Sequence, residues 1–161
     1  MGRCGSELKV VGVAHARRIY DVLQKYRQFD TSSAADAPYE EWLESSFPLS
    51  VHLQYGTGEQ VVYMTISNID WISRSATFGV FCSQPGNGVT AARALFRYGF
   101  DTLGLNRLSC TVRADNGRCF AAIGRCPEVK EEAHIRQCLY RNGDFVDMKM
   151  FGILVDDWRA V

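Results

Sequence analysis

The sequence predicts a mixed α/β (α+β) domain built on one sheet, and three observations carry that prediction. Alternating or valine-rich apolar runs of strand length recur along the chain. They are interleaved with segments whose apolar residues fall at helix spacing. Tight-turn signals, Gly56-Thr57-Gly58 and Asn142-Gly143, mark a hairpin in each half. Interleaved strands and helices with hairpins at both ends give a mixed sheet with helices packed on it.

The elements follow in order. Residues 7–13 are valine-rich and read as a first strand. Residues 14–29 are helical, with Ile19, Tyr20, Leu23 and Tyr26 on one stripe. Residues 30–38, rich in Ser, Ala and Asp, read as a loop, and 39–46 as a short helix ended near Pro48. Residues 49–55 and 59–66 alternate on either side of the Gly56 turn. The run Ala76-Thr77-Phe78-Gly79-Val80-Phe81-Cys82 is a strand, broken by Ser83-Gln84-Pro85-Gly86-Asn87-Gly88. From Val89 a helix carries Leu95, Phe96, Phe100 and Leu103 at helix spacing. Residues 107–113 form another strand, and 116–124 a helix with Phe120 and Ile123 on its apolar side and Asn116 as its cap. Residues 133–140 and 145–155 flank Asn142-Gly143, a type I′ turn pair. The reading gives about seven strands and about four helices, without internal repeats or low-complexity segments.

Composition narrows the class. A chain of 161 residues reads as one domain, 1–161, with residues 1–6 as a flexible tail. Its apolar fraction of 47% and charged fraction of 22% are those of a globular protein. Lys and Arg balance Asp and Glu, so the expectation is no nucleic-acid or anionic-membrane partner. No run approaches the length of a membrane span, and the N-terminal residues lack the apolar core of a secretory signal, so a cytoplasmic location is expected. Met1-Gly2-Arg3-Cys4-Gly5-Ser6 fits a loose N-myristoylation pattern, which we read as a chance match. The six cysteines form no Cys-x-x-Cys pair and the three histidines lie far from metal-ligand spacing, so no metal site is expected. The cysteines read as reduced thiols, with Cys119 alone kept as a candidate functional group.

The stretch with most chemical content is the glycine loop that opens the helix after the Ala76 strand. Such a loop leaves backbone N–H groups unpaired at the positive end of a helix dipole, and that geometry binds phosphate. A phosphorylated cofactor or substrate is therefore expected here.

Further segments join it into a pattern: Asn68-Ile69-Asp70-Trp71-Ile72-Ser73-Arg74-Ser75-Ala76, Gly86-Asn87-Gly88, Tyr98-Gly99-Phe100, Leu103-Gly104-Leu105-Asn106-Arg107 and Ala114-Asp115-Asn116. It ends with Tyr140-Arg141-Asn142-Gly143-Asp144-Phe145-Val146-Asp147 and Leu154-Val155-Asp156-Asp157-Trp158. Over residues 68–158 the chain resembles the GNAT superfamily of acyl-CoA-dependent N-acyltransferases. The resemblance is to the branch with ribosomal-protein N-terminal, spermidine and amino-sugar N-acetyltransferases. It implies a mostly antiparallel twisted sheet with a central splayed parallel pair, the Ala76 and Arg107 strands. Acetyl-CoA, or another acyl-CoA, would lie in the opening. Its pyrophosphate would sit on the N–H groups of Gln84, Gly86, Asn87, Gly88 and Val89, and its pantetheine along Val80, Phe81 and Cys82 and against Asn116. A small-molecule or peptide amine would attack the thioester directly, polarised by a backbone N–H near Phe81. The oligomeric state is left open, a homodimer among the alternatives.

The chain also departs from the family pattern. Ser83 and Gln84 stand where the branch has Arg-Gly, and Thr77 where a glutamate is common. Ile123 occupies the place of the tyrosine often used as general acid. The resemblance leaves Glu132 (or Glu131) as candidate base and Cys119 as candidate donor near the leaving thiolate. The bland readings are a solvated acidic patch over 128–132 and a small buried hydrophobe. His134 is a candidate proton relay or a half-exposed strand residue. Trp71, Tyr39 and Trp42 read as acceptor-pocket walls or as core. Two functions are carried forward: an N-acyltransferase for primary amines, and a repurposed GNAT-fold protein that binds CoA or another ligand without transfer.

Overall fold

A computed structural model describes residues 7–25, 37–57, 61–82 and 86–161 of the chain. Its strands are β1 (Leu8–Val10), β2 (Ser50–Tyr55), β3 (Val62–Asp70), β4 (Ser75–Cys82), β5 (Arg107–Arg113), β6 (Lys130–Arg141) and β7 (Asp144–Leu154). They form one sheet in the order β1-β2-β3-β4-β5-β7-β6, antiparallel throughout except for β4 with β5. The helices are α1 (Ala16–Lys25), α2 (Tyr39–Ser45), α3 (Gly88–Arg97), α4 (Gly117–Ile123) and α5 (Val155–Arg159).

Period-two alternation and the strand register divide the side chains between two faces. Leu53 pairs with Met64 and Met64 with Val80, and this row points toward α3. There Leu53, Met64, Ile66, Leu95, Phe96, Leu108 and Ile153 make the larger core, each side chain worth about 1.5–3 kcal/mol of burial. The adjacent row, His52 with Thr65 and Thr65 with Gly79, points to the opposite face. A second core of Ile19, Leu23, Trp42, Phe47 and Tyr63 covers that face with α1 and α2. The last turn of α3 widens into a π-helical turn over Tyr98–Thr102. Gly99 lies there, and a Cβ on it would stand 2.9 Å from the Leu108 side chain, so this helix rests directly on β5.

The parallel pair is short. β4 and β5 are joined only at Ser75 with Arg107, Ala76 with Leu108 and Thr77 with Ser109. Beyond that, β4 stays with β3 as far as Cys82 and β5 stays with β7 as far as Arg113, so the two strands diverge. The V between them is the opening around which the candidate site is built.

The expected fold class is found: seven strands, one splayed parallel pair and helices on both faces. Local limits differ. There are five α-helices rather than about four among the described residues, because the segment after Leu154 leaves the sheet. Its turn is closed by the Leu154 N–H donating to Asp157 Oδ2 at 3.3 Å. β1 is shorter than residues 7–13, since a 3₁₀ turn over Val13–His15 follows Gly12. β3 runs on to Asp70, and β6 begins at Lys130. Asn142 and Gly143 adopt φ of 53° and 91°, the two positive values a type I′ turn requires. The expectations for residues 26–36, 58–60 and 83–85 lie outside the described residues, Gln84 among them.

Candidate active site

The splay opens a cavity of about 720 Å³ that passes through the sheet from one face to the other. On the α3 face it is lined by Phe78, Val80, Cys82, Val89, Cys110 and Cys119. On the opposite face it is lined by Thr77, Gly79, Phe81, Thr65, His52 and Trp42. The alternation along β4 thus sends successive side chains to the two ends of one passage, and the strand backbone stands between them.

At one mouth lies the start of α3. Gly88, Val89 and Thr90 open the helix, and their N–H groups have no acceptor within it. The helix ladder begins with Ala91 N–H to Asn87 O at 2.9 Å. Gly86 has φ of 126°, a conformation that favours glycine. A Cβ on Gly88 would stand 2.9 Å from Cys82 Sγ, so a glycine is what lets the helix start press against the end of β4. Gly86, Asn87, Gly88 and Val89 are thereby brought to the end of residues 80–82.

α4 forms the outer wall. Asn116 caps it, its Oδ1 accepting from the Cys119 N–H at 3.1 Å, and also lines the cavity. Cys119 lines the cavity with Cys82 and Cys110. Burial, with Cys82 nearby, pushes the Cys119 thiol up to about 11. Burial and the neighbouring Cys119 push Cys110 up to about 12. Cys82 is raised by burial, offset in part by Arg118. All three are neutral thiols at neutral pH, weak donors rather than nucleophiles. Ile123 lines the same wall and supplies no polar atom.

The candidate base is placed elsewhere. Glu132 sits at a bulge in β6, where the pairing with β7 shifts between Glu131 and Ala133. Its carboxylate lies over Gly152 and accepts from Arg107, with Nη1 to Oε1 at 2.7 Å and a second, shorter contact from Nη2 to Oε2. Those Arg107 hydrogen bonds hold the carboxyl below the usual carboxylate range. Glu132 is not among the residues that line the cavity. Glu131 pairs with Lys149 at 3.0 Å, and His134 with Asp147 at 2.8 Å, both on the β6–β7 hairpin. Thr77 faces the cavity where the family often has a glutamate. Its hydroxyl donates to Ser67 O at 3.1 Å and accepts from Asn68 Nδ2 at 3.0 Å.

Of the three aromatic candidates, Trp42 lines the cavity, Tyr39 packs against the second core, and Trp71 is exposed at the β3–β4 turn. The residue that sequence reasoning missed is His52. It is buried on β2, its ring stacked on Phe47 with centroids 4.0 Å apart, and it lines the cavity. Burial holds its pKa below the ordinary histidine value. No local signal marks it, because a lone histidine at a polar position of an alternating strand reads as half exposed.

Among the described residues no helix is long and apolar enough to cross a membrane, and no group of three or more His, Cys, Asp or Glu could hold a metal ion. No protein-family model matches the sequence, and no curated protein matches it. Solved structures do. The spermidine N-acetyltransferase of Vibrio cholerae, in complex with CoA and spermine, shares 18% identity over 95% of this chain and 97% of that one, with a TM-score of 0.82. A point mutant of that enzyme shares 19% identity over 96% and 99% of the two chains, with a TM-score of 0.80. A structure described as a probable acetyltransferase shares 23% identity over 94% and 93%, with a TM-score of 0.68. With its seven-stranded sheet and splayed β4–β5 pair, this chain has the fold of the GNAT N-acetyltransferases.

Proposed function

We propose that the protein is an acyl-CoA-dependent N-acyltransferase that moves an acetyl or other acyl group to a primary amine held in the same cleft. The observation that carries this reading is the single passage through the β4–β5 splay, with a helix N-terminus at one mouth and a separate chamber at the other. The neighbours support it: those above are acetyltransferases, and one was solved with CoA and spermine.

The residues fit the cofactor. The free N–H groups at the start of α3, with the space that only a glycine leaves at Gly88, suit a pyrophosphate. Gly86, Asn87, Gly88 and Val89 would hold it, with Gln84 from the same loop. The edge of residues 80–82 that faces away from β3 is uncovered by β5, and there pantetheine would pair as an added strand. Asn116 would bond the same arm from α4. Bound acyl-CoA supplies an activated thioester.

The rest is done by positioning. The passage aligns an amine with that thioester, and alignment alone removes much of the barrier once the amine is deprotonated. A backbone N–H near Phe81 would polarise the carbonyl. Cys119 would donate a hydrogen bond to the leaving sulfur, as its neutral thiol allows. With Glu132 held by Arg107 outside the cavity lining, the ammonium proton leaves to solvent or to a group on the acceptor side.

Thr77 and Ile123 favour a second reading, a GNAT-fold protein that binds CoA without transfer. Calorimetric titration with acetyl-CoA, followed by a thiol-release assay against a panel of primary amines, separates the two. Binding with thiol release supports the enzyme. Binding with no release above background supports the CoA-binding module, and no binding sinks both.

A further inference from the structure

We propose that the chamber beyond β4 receives an amine carried on an apolar, otherwise uncharged body, and that His52 Nδ1 takes a hydrogen bond from that acceptor. The inference rests on the acyltransferase reading and names its acceptor class.

The register supplies the path. His52, Thr65 and Gly79 are consecutive partners across β2, β3 and β4, so they share one face, and all three line the cavity. Gly79 keeps the near end low, since a Cβ there would stand 3.0 Å from both Thr65 Oγ1 and the Phe81 ring. Two strand spacings separate β4 from β2, about 10 Å. That is the length of a small amine body with a polar group at each end.

The tautomer supplies the polar anchor. His52 Nε2 lies 3.1 Å from Phe47 O. A carbonyl oxygen only accepts, so Nε2 carries the hydrogen and Nδ1 carries the lone pair. Burial keeps the ring neutral, which leaves that lone pair available. Nδ1 is itself buried and has no hydrogen-bond partner among the described residues, in a residue only 5% exposed. A buried acceptor without a donor is costly, and a ligand N–H or O–H would satisfy it. The Phe47 stack, tilted by 8°, and the edge-on Trp42 ring at 6.0 Å hold the imidazole plane in place.

The walls supply the class. Around His52 the cavity is lined by Leu23, Trp42 and Phe81, with hydroxyls from Ser46, Ser50 and Thr65. Among the described lining residues there is no carboxylate, and Arg118 is the one Lys or Arg side chain. A polycation would lose its hydration there without counter-charges, whereas an apolar body with a single amine would not.

The test uses tyramine, whose phenol O–H stands at the end opposite its amine, and spermidine as probes with acetyl-CoA, and two substitutions with opposite geometry. His52→Gln places an amide N–H where Nε2 meets Phe47 O and removes the Nδ1 acceptor. His52→Asn places an amide near Nδ1 and gives up the Phe47 bond. The expected result is a kcat/KM higher for tyramine than for spermidine. His52→Gln should raise the KM for tyramine about tenfold while acetyl-CoA affinity stays within about twofold, and His52→Asn should keep that KM within about threefold. A role confined to the Phe47 bond gives the reverse order of the two variants and overturns the proposal, as does a preference for spermidine. As a readout without turnover, the His52 Nδ1 resonance of the acetyl-CoA-loaded, ¹⁵N-labelled protein should move when tyramine is added. If acetyl-CoA binds and that resonance stays still, the acceptor inference alone falls. If acetyl-CoA does not bind, the acyltransferase reading falls and takes the inference with it.

Discussion

Arg107, the first residue of β5, grips the Glu132 carboxylate of β6 across the intervening strand β7. The crossing passes over Gly152, where any Cβ would run into the carboxylate. Glu132 is therefore a clasp between strands, and Glu132→Gln should leave kcat/KM within about threefold and lower stability by about 1 kcal/mol or less. The pH dependence has a definite sign. Because Arg107 lowers the folded-state pKa of Glu132, the stabilisation is present above the ordinary carboxylate value and is lost as pH falls through the lowered one. Urea unfolding of both proteins near neutral pH and again near pH 3 should show the difference close in acid. A large loss of turnover at unchanged stability would restore Glu132 as a base.

His52 makes a second pH-dependent contribution. Burial depresses its folded-state pKa below the unfolded value of about 6.5. In the window between the two values the unfolded chain binds the proton and the native one does not, so stability falls as pH drops below about 6.5. Comparing urea unfolding of the native chain and His52→Gln at several pH values between about 7.5 and 5 isolates this slope, which the variant should lack.

The contact between Gly88 and Cys82 should control cofactor affinity. A Cβ on Gly88 would be 2.9 Å from Cys82 Sγ, so Gly88→Ala must push the helix start away from β4. Calorimetry should show acetyl-CoA binding weakened by about tenfold, roughly 1.4 kcal/mol. Adding Cys82→Ala removes the obstructing sulfur, and the pair should be non-additive, the double variant binding better than Gly88→Ala alone. Additive losses would mean that the crowding is not what matters.

Cys119 should behave as a neutral donor. With its thiol pushed up to about 11, iodoacetamide near neutral pH should label the exposed Cys138 at least about tenfold faster than Cys119 or Cys110, read by peptide mass spectrometry. Saturating acetyl-CoA should slow Cys119 further. Cys119→Ala should keep turnover within about tenfold, since a weak hydrogen bond is all it removes. Preferential labelling of Cys119 would contradict this environment.

The sequence alone determined the order and kind of the elements. Valine-rich, alternating or continuous apolar runs marked the strands of the first half, Asn142-Gly143 marked the β6–β7 hairpin, and the break before Val89 marked the helix that opens the cleft. These are local signals, set by backbone sterics and side-chain spacing within a few residues. The strand end at residues 80–82, the helix start at residues 86–89 and the Asn116 cap were legible for the same reason, because each lies in a contiguous segment. What only the tertiary structure decided was pairing between distant residues. Glu132 looks available in sequence and is bound by Arg107, 25 positions away, because β7 lies between their strands and is a glycine at the crossing. His52 looks ordinary and becomes a buried ring that lines the cavity, because Phe47 O holds its Nε2 and strand register aligns it with Thr65 and Gly79. Such roles depend on which strands become neighbours and in what register, and that is settled only when the two cores pack on the sheet.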